Sequence, residues 1–242
     1  RIGKGSEKYV MVIKRMEMMG FDPRVGGRAW HLGHITSVRG GDNVRSTHFG
    51  FLLGEYRQGE DSRLVEWLDM PVEVKKAVFG EPYRIDQHSY EGKVMLTKWL
   101  EDLTTAINAL GMCLFASSNA GLGPTDLSKL YSACTGWEMK PSDLLSAGER
   151  IFNLQRAFNV REGITRDHDR WPDRFYEEEV PDGPSKGSVL KRNKIEEVLG
   201  EYYRLRGWDE LGIPTKERLI TLGLEDVAAD FKARGIIKGV HR

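Results

Sequence analysis

Gly92-Lys-Val-Met-Leu-Thr-Lys-Trp-Leu-Glu-Asp-Leu-Thr-Thr-Ala-Ile-Asn-Ala-Leu-Gly-Met-Cys-Leu114 decides the fold class. Leu96, Leu100, Leu103, Ile107, Leu110 and Leu114 recur at spacings of three and four, one apolar stripe along about five helical turns. Downstream the helical period continues. Thr125 and Ser142 stand where N-caps are expected for two further helices. In the second of these, Ala147, Ile151, Leu154 and Phe158 predict the buried stripe, and Gly163 the end. Val189 to Arg206 predicts another helix, stopped by Gly207. Thr215 and Gly223 bracket a short one, and residues 226–234 form the last. Residues 165–187, rich in Asp, Pro and Gly, read as a long ordered loop.

Upstream the pattern is irregular. The β-branched run at 9–13 predicts a short strand, and Phe21-Asp-Pro-Arg-Val-Gly-Gly27 a turn. Residues 28–49 read as a short helix followed by a loop, and Arg63 to Phe79 as two short helices broken at Pro71. The fold class is therefore mostly α, an irregular helical arrangement with a loop-rich N-terminal third. The expected division is a loop-rich segment over 1–91, carrying the Arg39–Ser46 loop, and a helical region over 92–242.

Composition narrows the function class without naming it. Lys+Arg and Asp+Glu both number 36 in 242 residues, so the net charge is zero, unlike a dedicated nucleic-acid binder. No apolar run approaches the roughly 18 residues of a membrane span. Two cysteines, Cys113 and Cys134, cannot build a disulfide framework, and a reducing cytoplasm is the expected home. The chain opens Arg1-Ile-Gly-Lys-Gly-Ser, without Met or a signal-peptide pattern, which suits a piece of a longer polypeptide.

Most reactive residue types have ordinary explanations. His31 and His34 share a helix face but lack a third ligand, so a structural role outweighs a metal. Asp167-His168-Asp169 reads as a solvated or salt-bridged loop, Cys134 as a small core residue, and Glu177-Glu178-Glu179 as a solvated face. Two places resist. In Arg39-Gly-Gly-Asp-Asn-Val-Arg45, paired glycines let the backbone approach a ligand while arginine forks suit phosphate or carboxylate. In Asn108-Ala-Leu-Gly-Met-Cys113, a glycine with an amide and a thiol closes an amphipathic helix. On spacing alone, Cys113 reads as a buried structural thiol.

These places, with the C-terminal pattern, resemble the tungsten-containing aldehyde:ferredoxin oxidoreductase family over roughly residues 8 to 224. The motifs occur in the family's order: Ile13-Lys-Arg-Met-Glu-Met18 with Phe21-Asp-Pro-Arg24, Thr36-Ser-Val-Arg-Gly-Gly-Asp-Asn-Val-Arg45, and Asn108 to Cys113. Gly148 to Gly163, and Tyr202-Tyr-Arg-Leu-Arg-Gly-Trp-Asp209 with Gly212-Ile-Pro-Thr215, follow. The resemblance implies the C-terminal part of an enzyme that holds tungsten on two pterins beside a [4Fe-4S] cluster, with magnesium as a further ion. It implies oxidation of aldehydes to carboxylic acids, with electrons leaving through the cluster to ferredoxin or a partner subunit. Cys113 would be the last of four cluster ligands, the other three lying in an N-terminal pterin-binding region on the same or another chain. Asn108, Met112 and Leu114 would contact a pterin, and Arg45 with Ser46 the pterin or its phosphate. A homo-oligomer or multi-subunit complex is expected, without nucleic acid or a membrane span, and the fragment alone would be inactive.

Two departures stand out. The family's pterin-motif aspartate is Asn108, and the family's metal-proximal histidine falls at Asn43. An asparagine hydrogen-bonds but does not carry a proton near neutral pH, so His48 or His34 would have to substitute. The alternatives are the tungsten subunit of a benzoyl-coenzyme A type reductase, which Asn43 suits, and a cofactor-free helical scaffold.

Overall fold

A computed structural model describes residues 3–20, 22–45, 69–81, 83, 86 and 88–237. Ser46, His48 and the expected helix before Pro71 lie outside them. The described chain is helical apart from one hairpin, β1 (Val12–Ile13) paired antiparallel with β2 (Met16–Glu17). Lys14 and Arg15 both take positive φ in its two-residue turn, the backbone twist that closes such hairpins.

Nine helices follow among the described residues: α1 (Arg28–Thr36), α2 (Val72–Phe79), α3 (Lys93–Ala109), α4 (Pro124–Thr135), α5 (Pro141–Arg161), α6 (Arg174–Glu177), α7 (Arg192–Arg206), α8 (Lys216–Thr221) and α9 (Glu225–Ala233). The axis is α3, against which α1, α2, α5 and α7 pack. Its stripe buries Leu96, Leu100, Leu103 and Ile107 with Ala29, Met70, Val78, Phe79, Leu127 and Leu144 in one core cluster. A second cluster centres on Trp171, Tyr202, Tyr203 and Trp208, and a third on Leu219, Leu222 and Phe231 beneath the C-terminal helices. The 165–187 segment is ordered, with a 3-10 turn at Arg166–His168 and the short α6.

Three local expectations change. Helices α4 and α5 begin one residue before Thr125 and Ser142, on Pro124 and Pro141, whose fixed φ suits the first helical position. Asp69 Oδ2 instead accepts the Thr125 amide at 2.7 Å, a cap from a distant segment. The buried face of α5 is rotated from the expected stripe: Leu154 and Phe158 are 44% and 55% exposed, while Phe152, Asn153, Arg156 and Ala157 are buried. Counting apolar residues misses this face because its buried members include a glycine, an amide and a guanidinium. A Cβ on Gly148 would lie 2.0 Å from the Asp102 carbonyl oxygen, so α5 crosses α3 where only glycine fits. Cys134 is exposed, not core: it sits in the last turn of α4, two turns beyond the buried Leu127, past the part of the helix that the core covers.

Two buried ionic knots bind the helices. Arg156 Nη1 meets Asp169 Oδ2 at 2.8 Å, Lys14 Nζ reaches Asp169 Oδ1 at 2.7 Å, and the Tyr203 hydroxyl donates to Asp169 at 2.5 Å. Burial pushes the Asp169 carboxyl up, yet Arg156 and Lys14 hold it below the ordinary carboxylate range. This is the salt-bridged form of the expected 167–169 loop. The second knot centres on Arg206, whose fork reaches Glu101 Oε2 at 2.6 Å and Asp102 Oδ1 at 2.5 Å.

His31 and His34 are core residues, both 2% exposed, with His34 packed between Trp30 and Trp171. Desolvation pushes both below the ordinary value of 6.5, helped at His31 by Arg28. Both are therefore neutral in the fold at pH 7. Below 6.5 the unfolded chain takes up protons that the folded chain refuses, so stability falls with pH from 6.5 toward the folded values. The urea midpoint is expected to drop between about pH 6.5 and 5, and His31→Gln to make that slope shallower. A midpoint flat over that range would contradict it.

Candidate functional site

The second motif region lies at the C-terminal end of α3. There the helix closes in a Schellman turn: Gly111 takes φ +71, its amide bonds Asn108 O at 3.1 Å, and the Met112 amide reaches back to Ile107 O at 3.2 Å. The turn throws Met112 onto the core cluster and leaves the next residue, Cys113, exposed. Cys113 is thus not the buried thiol its spacing suggested, because the helix has ended before it. Its carbonyl accepts the Ser117 hydroxyl at 2.7 Å, fixing the backbone behind the thiol. Asn108 is exposed, Met112 half-buried, and the Leu114 side chain is buried in the core cluster beside Ile107.

The first motif region is the loop after α1. Asp42 Oδ1 accepts the Val44 amide at 2.9 Å and starts the 3-10 turn Asn43–Arg45, which packs against α3. Val44 and Met112 both pack against the core cluster built around α3. Arg39 pairs with Asp42, leaving it less free for an anion than its sequence suggested. Arg45 touches Asp42 only at 3.9 Å, is about a quarter exposed, and makes no shorter ion pair among the described residues. Gly40 and Gly41 do not open toward a ligand: added Cβ atoms would meet Met16 Cβ at 2.8 Å and Ile13 Cδ1 at 2.9 Å. Their small size seats the loop on the β1–β2 hairpin. Gly111, in contrast, is open, like several other turn glycines, with nothing within 4 Å of an added Cβ.

Sequence reasoning missed the residues that hold the loop. Asn159 on α5 donates to Val38 O at 2.8 Å, Lys14 to Ile35 O, and Thr36 Oγ1 lies 2.7 Å from Glu101 Oε1. These partners lie 21 to 121 residues apart, and no local motif signals them. Among the described residues no group of three His, Cys, Asp or Glu side chains could hold a metal ion. An exposed thiol, an open glycine and a guanidinium with only a long ion pair among the described residues suit the edge of a larger cofactor, not a self-contained metal site.

The fold is shared first with part of a solved reductase complex. It superposes with a TM-score of 0.75 and 26% identity on the active-site complex BamBC of benzoyl coenzyme A reductase with 1,5-dienoyl-CoA. That match covers 98% of this chain and 36% of the other. The family described as "Aldehyde ferredoxin oxidoreductase, domains 2 & 3" matches residues 1–224, and the chain belongs to it. It is 34% identical over 221 residues to the tungsten-containing aldehyde ferredoxin oxidoreductase of Pyrococcus horikoshii, covering 90% of this chain and 31% of that protein. The Pyrococcus furiosus enzyme of the same name is 33% identical over 225 residues. An aliphatic sulfonate oxidoreductase WOR-like subunit of that organism is 36% identical over 107 residues. The chain spans about a third of the length of the curated relatives it matches over most of its own. No helix among the described residues is long and apolar enough to cross a membrane.

Proposed function

We propose that this chain is part of a tungstopterin, iron–sulfur oxidoreductase that converts aldehydes to carboxylic acids. The observation that carries the proposal is the exposed Cys113 thiol just beyond the Schellman turn that closes α3, the helix on which the Arg45 turn packs. The residues fit such a group. A thiolate at Cys113 would hold one iron of a [4Fe-4S] cluster, with three thiolates supplied from outside this chain. Arg45, joined by Ser46, would grip pterin or its phosphate, as a planar fork suits a phosphate bidentately. The open backbone at Gly111 admits a flat heterocycle, which Asn108 would hydrogen-bond and Met112 would line. With its side chain in the core, Leu114 would meet a ligand through its backbone. Magnesium would accompany the phosphates.

The bound cofactors would supply the two-electron oxidation and a one-electron exit toward ferredoxin or a partner subunit. Overall, aldehyde and water give carboxylate, three protons and two electrons. An asparagine, as at position 43, hydrogen-bonds but cannot accept those protons. His34 is enclosed by indoles, so a proton acceptor would come from elsewhere.

A second reading, reduction of an aromatic acyl-coenzyme A, is favoured by Asn43 and by the benzoyl coenzyme A reductase likeness over nearly the whole chain. Anaerobic turnover by the full-length assembly separates the two. Reduction of a dye acceptor driven by aldehydes, but no reduction of benzoyl thioester, is the expected result. The converse would move the assignment to the second reading, and turnover of neither would overturn both.

A further inference from the structure

We propose that Glu101 is a positioning residue that sets the 37–45 loop against the 108–114 turn through Thr36. This rests on the reading that these segments border the cofactor. Glu101 lies on α3 seven residues before Asn108, two turns from the Cys113 end, and is fully buried. One carboxylate oxygen, Oε2, accepts the Tyr202 hydroxyl at 2.5 Å and Arg206 Nη2 at 2.6 Å. That leaves Oε1 for Thr36 Oγ1 at 2.7 Å. The Thr36 hydroxyl also lies 2.9 Å from Leu32 O, and its single proton goes to the carboxylate, the stronger acceptor.

Thr36 is the last residue of α1, and the loop starts at the next position. A buried carboxylate is a costly way to join two helices, and apolar side chains would hold them as firmly. What the carboxylate adds is direction: three donors converge on two oxygens, so the end of α1 has one rotation and one height relative to α3. The same two helices are joined at the other end of α1, where Thr97 Oγ1 donates to Ala29 O at 3.2 Å. Glu101 therefore fixes the point at which the loop departs, on the helix that carries the thiol. Asn159 and Lys14 then hold Val38 and Ile35 by their carbonyls.

The test uses Thr36→Val in the full-length assembly, with Thr36→Ser as the conservative rescue. Thr36→Val is nearly isosteric and leaves Glu101 its bonds to Tyr202 and Arg206, so the fold is retained where Glu101→Gln endangers it. Hydrogen exchange of amides 37–45 is expected to quicken about tenfold in Thr36→Val, the scale of one charge-assisted hydrogen bond, with α3 amides within about twofold. Tungsten content and the cluster's paramagnetic spectrum are expected to change with it, and Thr36→Ser to restore all three. Unchanged loop exchange, equal quickening throughout the chain, or a loosened loop with cofactor content and spectrum intact would each overturn the proposal. A wild-type assembly without tungsten or cluster would instead show failure of the underlying reading, since the exchange comparison needs no cofactor.

Discussion

Arg206→Met is expected to destabilise the protein by about 3–5 kcal/mol, the largest stability effect of any substitution considered. Its guanidinium is fully buried, stacks 4.2 Å from the Phe152 ring, and bonds Glu101, Asp102 and the Tyr202 hydroxyl. Methionine fills much of the volume but leaves two acidic side chains buried without their shared cation. Lys98 still reaches Asp102 at 2.8 Å, yet nothing else comparable serves Glu101. Burial already pushes the Glu101 carboxyl above its ordinary range against the pull of Arg206 and the hydroxyls. Without Arg206 it would be pushed higher still, so the variant should recover part of its stability on acidification. Arg206→Lys should lose most of the same stability, because one ammonium cannot span both carboxylates. Urea unfolding of matched full-length proteins reads both. A loss under about 1 kcal/mol would mean that the knot is relaxed by water.

Cys113→Ser is expected to do the opposite, leaving the fold and removing the redox centre. The thiol is exposed and packs against nothing in the core, so the change in stability should stay within about 0.5 kcal/mol. A serine hydroxyl is a poor iron ligand beside a thiolate, so the cluster signal of the assembly should vanish or shift strongly. Cys134→Ser, also at an exposed position, should leave the spectrum unchanged and is the internal control. A cluster spectrum identical in wild type and Cys113→Ser would overturn the ligand assignment.

The fold was legible where periodicity and terminators agree. The stripe from Leu96 to Ile107, the stop at Gly207 and the Thr215 cap, whose hydroxyl accepts the Arg218 amide at 3.2 Å, are all local signals. Legibility failed where a distant partner overrides the local pattern. The face of α5 is set by Arg156 meeting Asp169 and by Asn153 accepting the Trp208 indole at 2.7 Å, pairs no hydrophobic count registers. Cys113 was misjudged from spacing because Gly111 ends the helix and turns the following residue outward. At the candidate site, the motifs single out the 39–46 loop and the 108–114 segment. What they did not reveal is that Gly40 and Gly41 serve packing on the hairpin, or that Glu101, Asn159 and Lys14 hold the loop. Those roles depend on contacts between segments far apart in the chain, visible only once it is folded.

Tungsten, molybdenum and iron content of the natively purified assembly containing this chain tests the central claim most directly. The account predicts about one tungsten and at least four irons per copy, with the cluster lost or strongly perturbed in Cys113→Ser. Metal-free protein from an intact assembly would contradict it, and the chain would then be a helical scaffold that keeps the family's fold without its chemistry.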